Sequence, residues 1–130
     1  MDNLMIIRFL LCKMFDVKEI DIVMMKSRKQ NIVDARRLYV YYLLQFKKVK
    51  HAHIKKYVKG MHHSTSIYQY NIFEDQMDVC RLTKQRLITL LYYGDRAEWE
   101  YLKLKMRYPK EVLYDVNYKK TYQDIINHLK

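Results

Sequence analysis

Histidines, tyrosines and cysteines are the side chains here that could hold a metal or attack a bond: five, thirteen and two of them. His51-Ala52-His53 has the spacing of the metal-binding pair in nucleases that use a tyrosine as nucleophile. That chemistry needs a strand, on which positions i and i+2 face the same way. The pattern around residue 51 is helical, and there those positions diverge. His62 and His63 add two imidazoles, but no Cys or carboxylate stands at ligand spacing from them. Cys12 and Cys80 lie far apart in separate helical patterns and are expected as buried free thiols in a reducing cytosol. The reading is therefore a protein with no enzymatic activity, no metal and no cofactor. What remains is His62-His63-Ser64-Thr65, a run of hydrogen-bonding side chains with no catalytic partner, suited to recognition.

The elements that must present this run are helices. Glycine occurs only at 60 and 94 and proline only at 109, too few turn residues for a sheet protein, so the fold is expected to be all-α. At 130 residues the chain is one domain's worth, and half of it is apolar, which argues against disorder. Leu4, Ile7, Leu11 and Phe15 share one face of a first helix, broken at Asp16-Val17. A short second helix over 18–25 turns Ile20, Val23 and Met24 inward. Asn31 is the N-cap candidate of a long helix over 32–48, with Ala35, Leu38, Tyr42, Phe46 and Val49 in its stripe. A short helix over 50–58 ends at Gly60, which can supply a positive φ. The next helix, 62–81, buries Ile67, Tyr70, Phe73, Met77 and Cys80 and leaves His63, Ser64, Thr65 and Tyr68 free. The stretch 54–73 thus has the outline of a helix-turn-helix. Further helices are expected over 84–93, 96–107 and 111–129, started by Thr83, Asp95 and Pro109.

Charge is distributed unevenly. Residues 26–63 hold eleven Lys or Arg against the single acid Asp34, a net of +10 out of the chain's +11. A solvated surface would mix signs, whereas a nearly single-signed block suits a polyanion through counterion release. Arg36 and Arg37 near a helix start oppose the helix dipole, which favours an external anion there. The first helix, with Asp2 at its head and Arg8 inside its apolar run, lacks the form of a signal peptide. No apolar run approaches the roughly 18 to 20 residues of a membrane span. The protein is expected in the cytoplasm of a bacterial cell, or of a host cell if phage-encoded. A bias toward Lys, Ile, Asn and Tyr suits an AT-rich genome such as that of a phage or mobile element.

Residues 28–73 resemble the C-terminal DNA-binding domain of the bacterial replication initiator DnaA. Ile54, Gly60, His63-Ser64-Thr65 and Ile67 stand in the register of that family's signature. Arg28-Lys29 and Arg36 match its basic loop and the arginine opening its long helix. The resemblance extends over residues 4–80. It implies an all-α domain that binds double-stranded DNA, at an AT-rich site, in replication or transcription control. It places Arg28 in the minor groove, where a narrow groove attracts a guanidinium. Base contacts then fall to Arg28, His62, His63, Ser64, Thr65 and Tyr68, and phosphate contacts to Lys26, Lys29, Arg36, Arg37, Lys55, Lys56 and Lys59. The chain departs from the family at four positions. His62 replaces an Asp, Ser66 an aliphatic residue, Gln69 a small residue, and Lys59 a second Gly. The phosphate-binding GxxxxGK[ST] of the initiator's ATPase module is absent, so a stand-alone DNA-binding domain is expected over 1–81. Residues 82–130, with Tyr92, Tyr93, Trp99, Tyr101, Tyr108, Tyr114, Tyr118 and Tyr122, read as a helical extension that packs on it or mediates association, by homodimerisation or with a protein partner. A non-specific architectural binder and a protein-interaction adaptor on the same fold are the rival readings.

Overall fold

The computed structural model describes residues 3–94, with side chains over 4–91. In chain order the elements are α1 (Asn3–Phe15), α2 (Glu19–Val23), α3 (Gln30–Gln45), the 3-10 helix η1 (His51–Lys56), α4 (His63–Val79) and α5 (Arg81–Gly94). The fold is an all-α multi-helix domain, and among the described residues there is no strand. The helices expected over 96–107 and 111–129, and the partner surface they would carry, lie outside the described residues.

α3 is the central element because its apolar residues outnumber one face. Ala35, Leu38, Tyr39, Val40, Tyr41, Tyr42 and Leu43 are all buried, so it must be covered on several sides. α1 covers it with Ile7, Leu10, Leu11 and Phe15, and α4 with Phe73 and Met77. α5 packs on α1 and α4 and adds Leu87, Ile88, Leu90 and Leu91 to the same core. The first part of the expected extension, 82–94, therefore shares the hydrophobic core of the region before it. No described helix is long and apolar enough to cross a membrane.

Two helix ends are made by residues in the left-handed region. Asp16 stops α1 at φ +54, and the Val17 amide turns back to the Cys12 carbonyl. Lys48 follows α3 at φ +57, and the Val49 amide donates to the Leu43 carbonyl at 3.0 Å. A Cβ in this conformation is strained, and glycine is not. Lys48→Gly is expected to raise the unfolding free energy by about 0.5–1 kcal/mol, read as a later urea midpoint at unchanged slope.

Three local expectations are corrected. Asn31 does not cap α3. The helix begins at Gln30 behind Lys29, and the Asn31 side-chain NH2 donates to the Phe15 carbonyl, serving the end of α1 instead. Ile20 does not face inward but is exposed, and Ile22 is the buried residue of α2. The helix expected over 50–58 is a six-residue 3-10 turn, carried by i to i−3 bonds from His53 to Lys50 and from Tyr57 to Ile54. Only Ile54 and Val58 of this segment are fully buried, with Tyr57 packed at the core's edge, too few to hold an α-helix on a longer face.

Candidate nucleic-acid interface

The site is built on the end of α2 and the turn that precedes α4. The Lys59 amide donates to the Val23 carbonyl at 2.7 Å, and the Met25 amide donates to the Lys59 carbonyl at 3.0 Å. This short parallel bridge, Met24 against Lys59, joins two basic segments more than thirty residues apart in sequence. Gly60 follows at φ +87, a conformation open to glycine, with the position a Cβ would take lying 3.5 Å from the Met25 side chain. Lys26, Arg28 and Lys29 on one segment and Lys55, Lys56 and Lys59 on the other are all exposed.

Arg36, expected at the surface among the phosphate contacts, is instead turned inside the fold. It is only 5% exposed. One terminal nitrogen donates to the carbonyls of Asp21 and Met24, both at 2.8 Å, and the other to the carbonyl of Ser27 at 3.3 Å. These carbonyls belong to the end of α2 and the basic loop, where helix geometry leaves acceptors without partners. Burial pulls the Arg36 pKa down, and the nearby Asp21 carboxylate works against that shift. Arg36 therefore fixes the loop that carries Lys26, Arg28 and Lys29. Within that loop the Ser27 hydroxyl accepts the Lys29 amide at 3.2 Å. Arg37 is also turned inward for the most part: its Nε donates to the side-chain oxygen of Gln69 on α4, and a terminal nitrogen lies 3.9 Å from the Asp34 carboxylate.

α4 is clamped by α3 and η1 along one face. Tyr41 stacks on Tyr70 with ring centres 5.1 Å apart and lies 4.3 Å from the Phe73 ring. Tyr41 donates to Glu74 and Tyr70 to Gln45, each at 2.7 Å. Ser66 is fully buried and its hydroxyl lies 2.8 Å from His51 Nδ1. The buried stripe thus runs Ser66, Tyr70, Phe73, Met77. Ile67, expected inside, is 43% exposed. Ile67 and Ser66 stand three and four residues before Tyr70, and either spacing returns to the same face. The hydrogen bond to His51 selects Ser66. Ser66 and Gln69 are thus satisfied in pairs with His51 and Arg37.

This register leaves the amino end of α4 outward. His62, His63, Ser64, Ile67 and Tyr68 are exposed, Tyr68 at 62%, while Thr65 is half-buried. The helix starts at His63, and His62 is its N-cap: its Nδ1 accepts the Ser64 amide in a long bond of 3.4 Å. The same Nδ1 lies 3.1 Å from the Ser64 hydroxyl, so the His62 ring is tied to the first turn of α4. The His62 and His63 rings lie 4.5 Å apart. Over 63–73 the helix carries no acid, whereas its second half carries Glu74, Asp75 and Asp78. Only the amino half of α4 is compatible with a polyanion, and the helix dipole reinforces this.

The remaining chemistry-bearing residues do not assemble. Among the described residues no group of His, Cys, Asp and Glu is close enough to hold a metal ion. His51 is engaged with Ser66, and His53 is exposed on the 3-10 turn. The two cysteines are free; burial pushes the Cys12 thiol up to about 11, with Glu19 and Asp21 adding to the shift, so it stays protonated at neutral pH. Sequence reasoning missed the outward Ile67 and the inward Arg36. The spacing of Ile67 was ambiguous, and nothing in the sequence marks a buried arginine. Compared with known proteins, the chain matches no family model, no curated protein and no solved structure.

Proposed function

We propose that this chain is a double-stranded DNA-binding protein acting at specific sites in replication or transcription control, without enzymatic activity. The observation that carries the reading is the main-chain bridge between Met24 and Lys59. It puts the loop bearing Lys26, Arg28 and Lys29 beside the turn that launches α4, whose acid-free amino end is exposed. Such an arrangement suits the first turns of α4 in a major groove and the Arg28 loop along the neighbouring backbone or minor groove. The resemblance to the DnaA DNA-binding domain supports it from the sequence side. His62 stands where that family has the acceptor Asp, and an imidazole can donate as well as accept, so this position reads bases differently from an Asp that accepts from cytosine. Ile67 adds an apolar surface for a thymine methyl.

The test is a titration against random duplexes and AT-rich initiator-type boxes at several salt concentrations. A steep salt slope with a preferred box supports the reading. A steep slope without preference returns an architectural binder, and no binding at low salt removes DNA from the account. Within the specific reading, Thr65→Ala is expected to cost about 1–3 kcal/mol on the preferred box alone. Lys56→Ala is expected to weaken every duplex alike and lower the salt slope by about one unit. Equal behaviour of the two variants on all duplexes would remove the division between base and phosphate contacts.

A further inference from the structure

Beside the exposed face lies a pocket of about 270 Å3 between the basic loop and the α3–α4 contact. Lys26 and Arg28 line it from the loop, Arg36 and Arg37 from α3, and Gln69 from α4. None of the residues that line it is acidic. Arg36 is 95% buried, counting from its 5% exposure, and among the described residues it makes no ion pair. Its terminal nitrogens serve carbonyls, which accept hydrogen bonds but bring no negative charge. Its Nε is buried and finds no hydrogen-bond partner among the described residues. A buried guanidinium with one donor unused, whose charge meets only the Asp21 carboxylate at longer range, gains when an anion completes it.

We infer that this pocket binds a phosphate group. A tetrahedral oxyanion accepts in several directions at once, which matches donors arriving from a loop and two helices; a carboxylate offers two oxygens in one plane. Guanidinium groups bind phosphate oxygens with directional, charge-assisted bonds, and three of the four cations here are arginines. The Gln69 side-chain oxygen already accepts from Arg37, so its NH2 remains as a neutral donor. The volume is several times a water's share of the liquid, about 30 Å3, so the group carrying the phosphate also fits. That phosphate comes from one of two sources, a strand of nucleic acid or a small free phosphate compound. The inference stands apart from the duplex reading, because free phosphate is its probe.

The experiment is thermal unfolding of the whole chain in inorganic phosphate against sodium chloride at equal ionic strength. Phosphate is expected to raise Tm by several degrees, saturably, beyond the chloride control. Lys26→Gln with Arg28→Gln removes two exposed cations of the pocket and is expected to abolish the excess shift while leaving Tm in chloride unchanged. Lys55→Gln with Lys56→Gln removes the same charge away from the pocket and is expected to keep the shift. No excess over chloride, or an equal loss in both double variants, overturns the inference and leaves general charge screening. Repeating the phosphate titration with a saturating duplex identifies the source. Loss of the phosphate response means a strand phosphate fills the pocket, and a retained response means a separate small phosphate ligand. A protein that binds phosphate and no duplex keeps this inference and loses the duplex reading.

Discussion

Arg36→Met is expected to lower the unfolding free energy by about 3–5 kcal/mol, the largest effect of any cation in the basic segment. The Arg36 guanidinium donates to three carbonyls, of Asp21, Met24 and Ser27, and the residue is buried. An acceptor buried without a partner costs about 1–3 kcal/mol. The full sum is not reached, because methionine fills the space with apolar atoms and relieves the desolvation of a buried charge. Arg36→Lys keeps the charge but not the fork, and a single ammonium cannot span carbonyls from α2 and the loop. Its loss is expected between wild type and Arg36→Met. Urea unfolding followed by the helical circular dichroism signal measures both. A loss below about 1 kcal/mol for Arg36→Met would mean that the loop holds its shape without this residue. The fold-level consequence reaches the candidate interface, since the carbonyls that Arg36 holds flank Lys26, Arg28 and Lys29.

The second large effect concerns binding and leaves the fold intact. Replacing Lys26, Lys55, Lys56 and Lys59 together by glutamine is expected to lower the slope of log K against log salt by about 3–4 units. At about 0.1 M salt that change corresponds to a loss of roughly a thousandfold on any duplex. All four side chains are exposed, and none makes an ion pair among the described residues. The Lys59 contribution to the bridge with Val23 and Met25 is main-chain and survives the substitution. Unfolding free energy is expected to hold or rise slightly, since like charges are being removed. A slope that changes by less than about one unit would move the phosphate surface away from this face.

The periodic elements could be read from the chain alone. In α1 and α3 the apolar residues recur at helical spacing over three or four turns, long enough for the period to be unambiguous. Gly60 was legible as a turn because the chain has only two glycines and a positive φ favours one. The single-signed charge of residues 26–63 was legible too, and it survives as an array of exposed lysines in the fold. Helix ends were less so. Asn31 is a good cap by type, but the Phe15 carbonyl 16 residues away competes for its side-chain amide.

The sequence by itself determined an all-α chain with one strongly basic segment, because both follow from local quantities: helical period, turn residues and net charge. Tertiary structure decided which cations of that segment face outward. Arg36 is drawn inside by carbonyls 9 to 15 residues before it, and Arg37 is drawn toward Gln69, 32 residues after it. It also decided the register of α4, where His51 takes Ser66 inward and turns Ile67 out. These choices rest on hydrogen bonds between residues far apart in the chain, which exist only once the helices have packed and excluded water, so no local pattern carries them.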